Sequence, residues 1–229
     1  MNLTNTKAYR NLVFAPGCAL MLYKPDLVGK IHHHLEQNFG KMDILKTCCK
    51  KEPGVPEYSK IINVCPGCDK RFANDYKKIS TISLWELLDE TGFFVYPDYK
   101  GRRMSIIDAC PTRNKEVVQD AIRSLLTKMN IETIEPQNTK TKSTCCGAGI
   151  YGDVPVDLVL DAMKKRTSEM PEDDVVVYCV SCIKSVYNGG KKPRYLPDLL
   201  CSEETFPQTY DPDEWYSELN KFIEENSWL

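Results

Sequence analysis

Short apolar runs alternate with longer segments of helical period along the chain. The runs NLVFAPGCAL, KIINVCPGCDK, MSIIDACPTR and DVVVYCVSCIK each pass from apolar residues into a cysteine. Between them, PDLVGKIHHHLEQNF places Leu27, Ile31, His34, Leu35 and Phe39 on one helical face behind Pro25. EVVQDAIRSLLTKMN does the same with Val117, Val118, Ala121, Ile122, Leu125, Leu126 and Met129, and VPVDLVLDAMKKR follows. Short strands alternating with helices predict an α/β fold with parallel pairing. The expected architecture is two tandem, pseudo-repeated α/β units with short parallel-type sheets, residues 1–90 and 104–205, then a helix within 206–229. DETGFFVYPDYKGRR, 89–103, is the expected boundary. At the last helix Asp211 reads as N-cap and Pro212 as first helical residue, with Asp213 and Glu214 in the first turn. Its stripe of Trp215, Leu219, Phe222 and Ile223 predicts a docked terminal helix, with a partner-binding helix as the alternative.

Composition narrows the class. The chain has 229 residues, 42% hydrophobic and 27% charged, with net charge −2, so it is expected to fold as a globular protein without a nucleic-acid footprint. No apolar run approaches the roughly 20 residues of a membrane span. The first twenty residues lack a signal-peptide pattern, and a cytoplasmic location is expected.

Eleven cysteines change the picture. They fall into two sets: Cys18, Cys48-Cys49, Cys65-x2-Cys68, and Cys110, Cys145-Cys146, Cys179-x2-Cys182, with Cys201 left over. Single, pair, CxxC, stated twice, is an internal repeat. In the first copy only KKEPGVPEYSK separates the pair from the next strand, so a helix is expected to be missing or shortened there. An odd count without a signal peptide favours metal or redox cysteines over a disulfide framework. One zinc takes four ligands at most, so five thiols with an adjacent pair suit a polynuclear centre better. Gly147 and Gly149 leave room beside the second pair, and Pro66 and Pro111 directly follow Cys65 and Cys110.

The double pattern of single Cys, CCG and CxxC resembles the cysteine-rich CCG domain family, which includes the disulfide-cleaving component of heterodisulfide reductase. The resemblance covers roughly residues 12–200 and is stronger in the second half, with CCGAG and YCVSC. It implies two non-cubane [4Fe-4S] clusters, one held by Cys18, Cys48, Cys49, Cys65 and Cys68, the other by Cys110, Cys145, Cys146, Cys179 and Cys182. It further implies an iron–sulfur oxidoreductase of an anaerobe, reducing a small-molecule disulfide or relaying electrons within a complex. Electrons would come from a flavin- or ferredoxin-type partner subunit. The first half departs from the pattern, reading Cys48-Cys49-Lys50 with a short gap, so fewer irons or zinc are alternatives at that site. The intact second motif is the better candidate for the active centre. A non-catalytic zinc- or cluster-binding assembly subunit is the competing reading, and a metal-free dithiol enzyme a third.

Other signals are weaker. GAGIYG, 147–152, formally matches a dinucleotide loop but no good strand precedes it. His32, His33 and His34 point in different directions on a helix and are expected as solvated or core side chains. Lys50, Lys51, Lys70, Arg71, Arg113 and Lys184 are expected on solvated faces, with cluster or substrate charge balance as the alternative. Cys201 is expected as a small buried side chain.

Overall fold

The computed structural model describes residues 11–46 and 48–226. The first unit runs β1 (Leu12–Ala15), α1 (Cys18–Tyr23), α2 (Pro25–Phe39), β2 (Asp43–Ile44), β3 (Lys60–Asn63), α3 (Pro66–Asp75), β4 (Ser80–Ser83) and α4 (Leu84–Thr91). The second runs β5 (Arg102–Ile107), α5 (Glu116–Lys128), β6 (Ile131–Ile134), α6 (Val156–Ser168), β7 (Asp174–Val177), α7 (Val180–Asn188), β8 (Lys192–Tyr195) and α8 (Leu196–Leu200). Helix α9 (Pro212–Glu225) closes the described chain.

Both sheets are parallel and have the same connectivity, β2-β1-β3-β4 and β6-β5-β7-β8. The expected duplicated α/β architecture is therefore seen in strand order as well as in cysteine spacing. The central strands are short apolar runs because parallel strands are covered on both faces. Phe14, Ile61, Ile62, Ile106, Val175 and Val176 are fully buried. Register follows, with Val13 opposite Ile61 and Ile106 opposite Val176.

The helices supply the covering layers. Helix α5 buries Val118, Ala121, Ile122, Leu125 and Leu126 as its period predicts, whereas Val117, expected on the same face, is exposed because it lies one position off that stripe. Helix α4 starts at a capping box, with Ser83 Oγ accepting from Trp85 N and Glu86 accepting from Ser83 N at 3.0 Å. It packs on α5 across the seam, and one apolar core runs through both units. A polar tie crosses elsewhere: buried Asp198 accepts from Tyr23 Oη and Lys24 Nζ, each at 2.6 Å. Lys115 also pairs with Asp69 across the seam. Removing either lysine would leave a buried carboxylate short of a partner, at a cost of about 1–3 kcal/mol.

The units differ where the sequence says they should. Between Cys49 and Lys60 there is no helix, whereas α6 fills the equivalent place in the second unit. Among the described residues no helix is long and apolar enough to cross a membrane. The last helix is docked through Pro212 and Trp215, with Asp211 capping Glu214 N at 2.9 Å.

Candidate functional site

All ten motif cysteines lie beyond the carboxyl ends of parallel strands, where α/β sheets bind ligands. Cys18 opens α1 after β1, and Cys110 opens a 3-10 turn after β5. Cys65 and Cys179 are the N-cap residues of α3 and α7, which puts Cys68 and Cys182 in each first turn. The adjacent pairs sit in the loops that follow β2 and β6.

Each set converges, and the two converge alike. Thiol contacts run Cys18–Cys48–Cys49–Cys68–Cys65 in the first unit. In the second they run Cys110–Cys145–Cys146–Cys182–Cys179. Both chains of contact pass from the single cysteine through the pair to the second and then the first residue of the CxxC. None of the eleven cysteines is in a disulfide.

Negative charge collects on equivalent sulfurs. S–H donation from Cys18 and Cys49 pulls Cys48 down to about 2, and donation from Cys110 and Cys146 pulls Cys145 down to about 2. The donors move the other way: Cys49 and Cys146 are pushed up to about 12. Cys65 is lowered by Cys68, and Cys179 falls to about 6 through donation from Cys182. Backbone amides support these thiolates: Lys50 on Cys48, Gly147 and Gly149 on Cys145, Gly67 and Cys68 on Cys65, Ser181 and Cys182 on Cys179. Amides aimed at sulfur suit an anionic group.

Among the described residues, no group of three or more His, Cys, Asp or Glu side chains forms a ready site for a metal ion. The sulfurs instead lie in mutual contact, as thiols do when they share protons. As a donor set, five soft sulfurs per unit with convergent amides fit a thiolate-ligated iron–sulfur group.

The glycines prove to have separate tasks. A Cβ on Gly149 would stand 3.0 Å from Cys145 Sγ, so this glycine makes room for sulfur. Gly147 sits at φ +95° and a Cβ there would meet Met163 N at 2.8 Å. Its bareness lets the loop lie on α6, a correction to the expectation that it faces a bound group. In the first unit Gly17 does the sulfur-side job: a Cβ there would lie 3.3 Å from Cys68 Sγ.

A polar network that sequence patterns do not reveal holds the second set. Asp108, fully buried at the end of β5, takes a two-pronged ion pair from Arg123 at 2.8 and 2.9 Å and accepts from Tyr178 Oη at 3.1 Å. Tyr178 Oη in turn accepts from Ala109 N at 2.9 Å. Ser143 Oγ donates to Asp108 O at 2.7 Å, and Arg113 donates to Ser143 O at 2.8 Å. The residues flanking Cys110, Cys145 and Cys179 are thereby tied to one residue, Asp108, through its carboxylate and its main-chain carbonyl. An acidic residue two before Cys110 and a tyrosine just before Cys179 are the signals that could have found it; Pro16 and Val64 stand there in the first unit.

Helix α9 touches both sets. Tyr216 Oη donates to Ala148 O at 2.9 Å in the CCGAG loop, and its ring stacks on Tyr151 at 4.0 Å. Tyr216, Leu219 and Ile223 also wall a cavity of about 520 Å³ floored by the first five cysteines. Lys50, Lys70 and Arg71 stand on the same wall and are exposed, as expected. Arg113 is exposed as well, while donating to a backbone carbonyl, but Lys184 departs fully from a solvated face: it is 0% exposed. Burial lowers Lys184 to about 8, against the opposing pull of Cys179, Cys182 and Cys146.

The remaining candidates fall away. His32 donates to Met42 O at 2.7 Å, His33 meets Gln37 and His34 packs on Phe94, so the three do not converge. GAGIYG follows a 3-10 turn rather than a strand. Cys201 is half-buried rather than buried, because α8 ends beside it and leaves one side open.

Residues 105–186 match the cysteine-rich domain family CCG. No curated protein matches the chain. Among solved structures, an aspartate racemase of Picrophilus torridus is similar at 10% identity and TM-score 0.34, over 96% of this chain and 100% of that one; so loose a likeness carries no argument. The matched span holds all five cysteines of the second set, and over it the chain is similar to the CCG family of cysteine-rich domains.

Proposed function

We propose that this chain is an iron–sulfur redox protein of the same type as the disulfide-cleaving component of heterodisulfide reductase, reducing a thiol-type disulfide or relaying electrons within a complex. The observation that carries the reading is the identical order of sulfur contacts in the two units. Cys18, Cys48, Cys49, Cys65 and Cys68 would hold one non-cubane [4Fe-4S] group, and Cys110, Cys145, Cys146, Cys179 and Cys182 the other. When bound, such groups supply one-electron chemistry. The protein's own residues gather the sulfurs, offset their charge with amides and fix the second set through Asp108. The cavity on the first five cysteines favours that face as the one a small molecule meets. This shifts the emphasis from the second motif, whose surroundings are more fully braced. Electrons would enter from a flavin- or ferredoxin-type partner.

Anaerobic purification with iron, sulfide and zinc analysis tests the reading. Iron and sulfide are expected in the wild type, and Cys145→Ser should retain about half the iron if the sites are independent. A colourless, zinc-loaded protein would replace this reading with a non-catalytic assembly subunit. Metal-free protein in which every cysteine alkylates would remove both.

A further inference from the structure

We propose that Lys184 is the internal counter-cation of the second cysteine set, clamped there by Trp215, so that filling the set and docking α9 stabilise one another. The inference rests on the reading that this set holds an anionic iron–sulfur group.

Lys184 lies two residues beyond Cys182 on α7, and its side chain is entirely shielded from solvent. Its ammonium stands 3.6 Å from the centroid of the Trp215 ring on α9. Its hydrogen bond to Val180 O is long, at 3.5 Å. Among the described residues no carboxylate pairs with it. A lone buried cation is costly, and one aromatic face with one distant carbonyl offsets only part of that cost. The groups that face it are the sulfurs of Cys179, Cys182 and Cys146, which become thiolates on binding metal. The compensating charge therefore sits on the site itself.

The repeat supplies a built-in comparison. Lys70 occupies the same place in the first unit, two residues beyond Cys68, and is exposed. A lysine at this turn can thus reach water, whereas at Lys184 the Trp215 ring of α9 lies over the ammonium. Trp215 is 2% exposed, and the next residue, Tyr216, grips Ala148 beside Cys146. One helix turn thereby covers the cation and holds the cysteine pair. The docked position of α9 and the charge of the site bear on the same ammonium.

The test uses Lys184→Met, which keeps most of the side-chain volume without the charge, and Lys184→Gln, which keeps a hydrogen-bonding end. Metal-free Lys184→Met is expected to melt at a higher temperature than metal-free wild type, because a buried cation compensated only in part is gone. After reconstitution with ferrous iron and sulfide the order should reverse. The second site should yield its iron at a chelator concentration about tenfold lower, as when a group supporting a metal site is lost. Of the two midpoint potentials, one should fall in both variants and the other stay, since removing a positive charge makes reduction harder. A lysine that only fills space predicts equal destabilisation of both forms and unmoved potentials; that result, or failure of metal-free Lys184→Met to fold, overturns the inference alone. Wild-type protein that takes up no iron would overturn it together with the functional reading, and iron analysis separates the two cases.

Discussion

The charge of Cys179 acts on Cys65 across the seam between the units, opposing its ionisation. These are the first residues of the two CxxC motifs and the N-caps of α3 and α7. Two helix starts, each capped by a cysteine whose ionisation its neighbours favour, thus lie within electrostatic reach of one another. The two sets are therefore neighbours, although each gathers its own five sulfurs.

Thiol labelling should resolve the sulfurs by pH. In metal-free protein Cys145 is held down to about 2 by S–H donation from Cys110 and Cys146, then by the amides of Gly147 and Gly149. Burial pushes Cys201 up to about 11. Iodoacetamide at pH 5, read by peptide mass spectrometry, should label Cys145 while Cys201 stays unmodified until alkaline pH. Labelling of Cys145 that begins only near its ordinary value of 9.0 would remove the shared-proton picture.

The two glycines of CCGAG should fail differently. Gly147→Ala forces a side chain into a left-handed backbone against Met163 and should cost about 1–3 kcal/mol or more in urea unfolding. Gly149→Ala meets only Cys145 Sγ, so its unfolding should stay within about 0.5 kcal/mol of wild type while iron at the second site is lost. Equal stability losses would show that both positions are merely structural.

Asp108→Asn should destabilise the protein by about 1–3 kcal/mol at pH 7, because Arg123 loses its buried two-pronged partner and keeps only the more exposed Glu135. Burial pushes Asp108 up, but Arg123, Lys140 N and Tyr178 together hold it below the usual carboxylate value. A carboxyl with a depressed folded pKa adds stability above its unfolded value, about 3.9, and loses it as pH falls through the folded one. Urea titrations should therefore show the gap between wild type and variant narrowing below about pH 4. A gap that widens on acidification would contradict the sign.

Tyr216→Phe should cost about 1 kcal/mol through the lost bond to Ala148 O. Trp215→Ala should cost about 3–5 kcal/mol. Amide exchange in the CCGAG loop should speed up in both variants. Unchanged exchange there would mean that α9 does not brace the pair.

The sheets and the cysteine sets are readable in the sequence because they rest on local rules. DVVVYC and KIINVC are short apolar strands that end at a helix start, and the same grammar occurs twice. The absent helix between Cys49 and Lys60 is readable from length alone. Lys184 defies the expectation of a solvated face because its neighbours in sequence do not bury it; Trp215 does, from 31 positions further along. Asp108 leaves no local trace because its partners, Arg123 and Tyr178, meet it only when β5, α5 and β7 assemble. The double role of α9 is hidden for the same reason: its stripe predicts docking, but not the surface on which it docks.

The loss of a helix from one copy shows how tolerant this architecture is. Every ligand candidate lies at a strand end, in the first turn of a helix or in the loop after an edge strand, so losing the helix between a pair and its CxxC does not alter where the sulfurs meet. The two copies can drift in their outer layer, one acquiring a wall and a cavity, the other a brace and a buried charge, while the inner geometry they inherited stays common to both.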